Sequence, residues 1–270
     1  MIVFPNCKIN LGLHIIRKRP DGFHDLETLF YPVFLQDALE VITSESAEAV
    51  RFTQSGLSIE DGGDNICVKA YHLLKKDFPQ LPSIQMHLHK AIPIGAGLGG
   101  GSADGAFTLL LLNNKYQLQL TEQQLITYAL QLGSDCPFFI KNKPCLGSGR
   151  GEDLQEVALD LSAYKIVIVH PGIHINTGWA FSQLQPAPPV LPLAEVFKKP
   201  IPEWKQWLVN DFEGPIFKQY PEIQACKETL YQMGAVYASM SGSGSTVYGL
   251  FKKEATLSFS FPAHYYVKEC

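Results

Sequence analysis

The sequence contains no Gly-Lys pair, which excludes a Walker-type phosphate loop, and neither H-R-D nor D-F-G, which excludes the protein-kinase pattern. It has no cluster of Lys and Arg long enough to follow a nucleic-acid backbone. With 22 basic against 26 acidic residues the net charge is -4, so no polymeric nucleic acid is expected as a partner. The longest apolar stretch, Leu109 to Leu112 with its flanks, is too short to cross a bilayer, and no membrane is expected either. The opening MIVFPNCKIN lacks the basic segment and apolar run of a secretory signal, which makes the cytoplasm the expected compartment. The cysteines Cys7, Cys67, Cys136, Cys145, Cys226 and Cys270 form no C-x-x-C pair and have no His at zinc-ligand spacing, so they are expected as free thiols.

What is present is the material of a soluble core: 46% hydrophobic and 18% charged residues. A chain of 270 residues exceeds the roughly 100 to 200 usual for one domain, so two are expected. KINLGLHII alternates polar and apolar positions as a strand does, and LETLFYPVF, ALEVIT and AVRFTQ carry the β-branched and aromatic residues of further strands. Asp64 is placed to cap a helix from Asn65 to about Phe78. Alternation returns in SIQMHLHKAI, followed by glycines that yield at Ser102 to an apolar helical run. Thr121 with Gln124 predicts a capping box for TEQQLITYALQL. Beyond it, YKIVIVH reads as a buried strand and QPAPPVLPL as an extended loop. The C-terminal part reads as a helix, then strands MGAVYASM and TVYGLF joined by the turn SGSGS, and a last strand near HYYVKE.

Gly95, Gly97, Gly99, Gly100 and Gly101, followed by Ser102 and a helix, have the chemistry of a phosphate cradle. Glycines admit a polyphosphate close to the backbone, and the first-turn N–H groups of a helix attract negative charge. A plain strand-to-helix turn is the simpler alternative. Gly95, Gly97 and Gly100 also satisfy G-x-G-x-x-G. A dinucleotide-binding unit, however, needs an acid ending a second strand about 20 residues on, where this sequence has the helix TEQQLITYALQL.

PIGAGLGGGSADGA resembles the phosphate-binding motif of the GHMP kinases, and MSGSGSTVYGLF resembles their third motif. CKINLGLHIIRKRPDGFHDLETLFYPV is similar to the first motif of the methylerythritol-pathway member of that superfamily, and DNICVKA, LGSDCPFFI, VIVHPGIHINT and LVNDFE also resemble it. The resemblance covers nearly the whole chain, in order. It implies an α+β fold in two domains, residues 1–160 like the second domain of ribosomal protein S5 and residues 161–270 ferredoxin-like, with the catalytic cleft between them. The implied reaction is transfer of a phosphoryl group from ATP, with Mg2+ expected, to the 2-hydroxyl of a small substrate carrying a cytidine diphosphate group. The enzyme would be a monomer or homodimer. A mevalonate- or homoserine-type kinase and a non-catalytic nucleotide binder are the alternatives.

The same resemblance implies the roles of residues. Asp135 would take the acceptor's proton, although an Asp ahead of Pro137 could equally cap a turn. Lys8 would supply positive charge, and Asn10, on the same strand face, would position substrate. Pro93, Ile94, Gly95, Ala96, Gly97, Leu98, Gly99, Gly100, Gly101, Ser102 and Ala103 would wrap the phosphates, and Asn65 and Lys90 would lie at the adenine. Asp104 falls where the family varies, so it is not assigned a metal. His24 and the aromatics Phe23 and Phe181 would hold the cytosine, Phe23 standing where the family more often has tyrosine. Thr177, Gly242 and Ser243 complete the expected substrate contacts.

Overall fold

The structure is a computed structural model and describes residues 1–58 and 65–270. Strands β1 (Ile2–Val3), β2 (Asn6–Lys18), β3 (His24–Gln36), β4 (Ala38–Thr43) and β5 (Val50–Gly56) precede helix α1 (Ile66–Asp77). Strand β6 (Ile84–Lys90) leads through the glycine loop into α2 (Gly100–Lys115), followed by α3 (Glu122–Leu132), α4 (Cys136–Lys141) and the strands β7 (Cys145–Ser148), β8 (Asp153–Glu156) and β9 (Tyr164–His170). Then come α5 (Thr177–Ser182), α6 (Leu193–Val196), α7 (Trp204–Trp207), α8 (Glu213–Gln219), α9 (Pro221–Gln232), β10 (Tyr237–Met240), β11 (Val247–Lys252) and β12 (Tyr266–Glu269). The chain divides into two compact units, the first comprising Met1–Cys7, Phe34–Ile94 and Gly99–Asn142, the second Lys8–Val33, Gly95–Leu98 and Lys143–Cys270.

In the first unit the strand order is β1-β4-β6-β5, with β4 antiparallel to its neighbours and β5 parallel to β6. Alternation puts Ile84, Met86 and Leu88 of β6 inward, and α1 buries Cys67, Ala70, Tyr71 and Leu74. Asn65 is the cap of α1, its side chain accepting the N–H of Cys67, while the predicted cap Asp64 lies outside the described residues. The capping box of α3 is present in both halves, Gln124 N–H to Thr121 Oγ1 and Thr121 N–H to Gln124 Oε1.

Lys90 takes the last inward position of β6, where its neighbours on that face are apolar. It stays charged there because Asp37 and Asp104 both accept from its ammonium, the latter at 2.7 Å, and Asp37 also accepts the N–H groups of Ala91 and Ile92. Burial pushes the Asp104 carboxyl above its ordinary range, against the pull of Lys90. Lys90→Met is therefore expected to leave two carboxylates facing each other and to cost about 3 to 5 kcal/mol, read as a lower denaturant midpoint. A midpoint equal to the parent's would mean that the pair carries no net stability.

The second unit holds two sheets, β2-β3-β7-β8 and β10-β11-β9-β12. Strand β9 buries Ile166 to Val169 on both faces, as a continuous apolar run must, and α9 adds Ile223, Cys226 and Leu230 to the same core as Leu13, Ile15, Val167 and Val169. Strand β2 departs from the half-solvated reading of its sequence: every residue from Asn6 to Ile15 is buried. Its polar face, Lys8, Asn10 and His14, is therefore enclosed as fully as its apolar one, and must find partners inside the protein. All six cysteines are free thiols.

Candidate active site

Enclosure of β2 explains the state of Lys8, which is 3% exposed where an isolated lysine would be solvated. Its ammonium donates to Asn10 Oδ1 at 2.6 Å and to the carbonyl of Gly97 at 3.3 Å, and it lies 5.3 Å from the centre of the Phe30 ring. Residues two apart on a strand share a face, and here that spacing becomes a direct bond between the two side chains expected to act together. Asn10 is held in turn: its N–H donates to Ser241 Oγ, its carbonyl accepts from Tyr248, and its Nδ2 donates to Thr28 Oγ1.

In the same unit the glycine loop packs against the Ser241–Ser245 turn. Gly97 has φ +79°, and a Cβ there would lie 2.1 Å from the Ser241 carbonyl oxygen. Gly242 faces the loop from the other side, where a Cβ would meet the Gly97 carbonyl oxygen at 3.3 Å and Asn10 Oδ1 at 3.5 Å. Ser241 Oγ donates to the Gly97 carbonyl at 2.8 Å and the Thr246 N–H to that of Ala96, so this turn between β10 and β11 is more than a hairpin connection. Ala96 and Leu98 anchor the loop inward, leaving Ile94 and Gly95 exposed, while Pro93 is buried.

In the first unit α2 begins after Gly99, whose φ is +70°, and no side chain caps it. Its first-turn N–H groups are thus left without side-chain acceptors of their own, the condition that favours an anion. Gly101 is exposed, with open space where a side chain would stand, and Ala103 is buried. Ser102, half-buried, hydrogen-bonds the thiol of Cys136, the residue after Asp135, which brings the start of α2 to the start of α4. Burial, and to a lesser degree the Asp135 carboxylate, push that thiol up to about 12, so Cys136 is an inert neighbour. Asp135 stands at the N-cap position of α4, but its side chain makes no capping hydrogen bond, which removes the turn-capping alternative. Of the two residues expected at the adenine, Asn65 caps α1, and Lys90 is buried with Asp37 and Asp104 on its ammonium.

The expected base-binding residues lie together in the second unit, each with a partner of its own. His24 stacks on Phe181 with ring centres 4.8 Å apart and planes 18° from parallel, and Phe181 meets Phe212 edge to face. Phe23 is 54% exposed, and the Arg150 guanidinium lies 4.8 Å from its ring centre. Burial, then the charge of Lys18, lower the pKa of His24 and favour the neutral ring. Thr177 opens α5, its hydroxyl 3.4 Å from that of Ser243. Thr28 and Tyr248 escaped the sequence reading, since one threonine or tyrosine among strand residues carries no local signal and only tertiary pairing brings them to Asn10.

Two family models match, "GHMP kinases N terminal domain" over residues 65–143 and "GHMP kinases C terminal" over residues 193–259. The 4-diphosphocytidyl-2-C-methyl-D-erythritol kinase of Bacteroides thetaiotaomicron is 52% identical over 260 residues, covering 95% of this chain and 94% of the relative. The chain belongs to the GHMP kinases, within the 4-diphosphocytidyl-2-C-methyl-D-erythritol kinase family. The enzyme of that name from Cytophaga hutchinsonii is 47% identical over 93% of this GHMP kinase and 92% of its own length. A crystal structure of 4-(cytidine 5'-diphospho)-2C-methyl-D-erythritol kinase superposes with a TM-score of 0.79 and 32% identity, covering 93% of this chain and 90% of that one. The Methanococcus jannaschii mevalonate kinase, with a TM-score of 0.69 at 12% identity, shares the fold. The two-part α+β GHMP kinase fold expected from the sequence is thus the fold of this protein.

Proposed function

We propose that this GHMP kinase transfers the γ-phosphoryl group of ATP to the 2-hydroxyl of 4-diphosphocytidyl-2-C-methyl-D-erythritol, giving ADP and the 2-phosphate, in the methylerythritol phosphate route to isoprenoid precursors. The observation that carries this reading is near full-length identity, 52%, to a kinase named for that substrate. Asp135 takes the hydroxyl proton, and Lys8 supplies positive charge where negative charge develops. Gly95 to Ala103 wrap the triphosphate with Pro93 and Ile94 at the loop's entry, and Asn65 borders the adenine. Asn10, Thr177, Gly242 and Ser243 position the acceptor, and Phe23, His24 and Phe181 receive its cytosine. That last role requires a base to enter where His24 and Arg150 now stack on the two phenylalanines.

Among the described residues no three His, Cys, Asp or Glu side chains are grouped to hold a metal by themselves. Magnesium, expected with ATP, binds through one or two protein groups and the substrate's phosphates. Ser102, on the first turn of α2, would contact it, and the ion would neutralise phosphate charge. In sequence order the two family domains divide as residues 1–160 and 161–270, a division distinct from the two compact units, and the enzyme works in the cytoplasm as a monomer or homodimer. Among the described residues no helix is long and apolar enough to cross a membrane.

A panel of acceptors incubated with ATP and read by ADP release tests the proposal. The cytidine-diphosphate substrate is expected to be used at least about tenfold better than its uridine counterpart, since a site that hydrogen-bonds one base leaves groups unpaired against the other. Equal use of both bases, or ready use of mevalonate or free methylerythritol 4-phosphate, would remove the cytosine pocket and with it the substrate assignment.

A further inference from the structure

The bonds around Asn10 have only one consistent set of directions. Thr28 is fully buried, and its hydroxyl, with a single proton, donates to the Gly12 carbonyl at 2.6 Å. The same oxygen therefore accepts from Asn10 Nδ2 at 2.9 Å, which turns Asn10 Oδ1 toward Lys8 at 2.6 Å. Reversing the amide would set an N–H against the Lys8 ammonium, donor against donor, and would leave Thr28 facing an oxygen with no proton to offer. The Asn10 main chain cannot move to relieve this, because Ser241 and Tyr248 hold both of its polar groups.

We propose that Thr28 is a positioning residue for phosphoryl transfer: by fixing the Asn10 amide it fixes the Lys8 ammonium. The inference rests on the reading of Lys8 as the cation of the reaction. Thr28 touches neither substrate, and its effect is carried by one hydrogen-bond chain, Gly12 to Thr28 to Asn10 to Lys8. Lys8 also donates to the Gly97 carbonyl, so the chain ends on the glycine loop itself. A small displacement of a group that must meet charge developing in the transition state acts on the chemical step rather than on ground-state binding.

The test compares steady-state constants of folded variants, with their melting temperatures. Thr28→Val keeps the shape and removes the hydroxyl; turnover is expected to fall about ten- to a hundredfold with both KM values within about twofold. Thr28→Ser is expected to recover most of the turnover. In an Asn10→Ala background Thr28→Val is expected to cost nothing further, because residues acting through one another are not additive. If Thr28→Val does not fold, Thr28→Ala takes its place in both backgrounds.

Lys8→Met separates the two levels of the argument. If that variant keeps its turnover, the reading of Lys8 fails, and the proposal with it. If it is inactive while the Thr28 variants turn over like the parent, the positioning role alone fails. An equal loss with Asn10 and without it would mean that Thr28 acts by another route, and would also overturn the proposal.

Discussion

Asp135→Asn is expected to lower turnover by about 10²-fold or more with little change in melting temperature. The substitution keeps the shape of the side chain and removes the base. An ordinary Asp before a short helix would make the opposite expectation, since loss of a cap costs about 0.5 to 2 kcal/mol of stability and nothing in catalysis. Here the Asp135 side chain does not cap α4, so no cap is lost. Ser102 meets Cys136 immediately beside it, which ties Asp135 to the first turn of the glycine helix, the proposed place of the triphosphate. Steady-state and single-turnover rates, set beside thermal melts, check the expectation. Turnover within a few-fold of the parent's would send the proton elsewhere.

A second large effect is expected at Gly97, and its contrast with Gly101 is the informative part. Gly97→Ala puts a methyl group 2.1 Å from the Ser241 carbonyl oxygen, in a backbone region (φ +79°) that alanine rarely adopts. The neighbour is main chain and cannot swing aside, so the loop must move. We expect a loss of several kcal/mol, or an ATP dissociation constant raised at least about tenfold in whatever folds. Gly101→Ala meets nothing within 4 Å, lies inside a helix, and is expected to leave stability unchanged or slightly higher. If ATP binding nevertheless weakens in Gly101→Ala, the added carbon obstructs the nucleotide rather than the protein. Calorimetric titration with ATP, alongside denaturant curves, separates the two. Gly97→Ala with the stability and ATP affinity of the parent would show that the loop is a slack connection.

These two glycines also mark what could be read from the chain before folding. Both belong to one motif, and the motif, the Thr121 capping box and the β9 run were legible because each is written in neighbouring residues. The ion pairing of Lys90 was not legible, for the opposite reason. Its burial depends on Asp37 and Asp104, 53 and 14 residues away, and no local pattern announces that an inward lysine will find two carboxylates. The short helices α4 to α8 were missed because segments of a few residues show too little of the helical period. Strand β2 was recognised as a strand, but alternation of polar and apolar residues predicts a wet face and a dry one, and here both are dry. A buried polar face has to be completed from elsewhere, and its completing residues, Thr28 on β3 and Tyr248 on β11, come from opposite ends of the chain.

The contact of Gly97 with Ser241 joins residues 144 positions apart, and this sets when the proposed nucleotide site can form. During synthesis the glycines emerge long before β10 and β11, and until those strands pair the loop lacks the bonds that Ser241 and Thr246 make to Gly97 and Ala96. Contacts of such separation form late, because the closure entropy of the intervening chain is spent before they repay it. A nascent chain ending before Ser241 therefore carries the whole glycine motif without the turn that shapes it, and completion of the last strands is what would switch the proposed nucleotide site on.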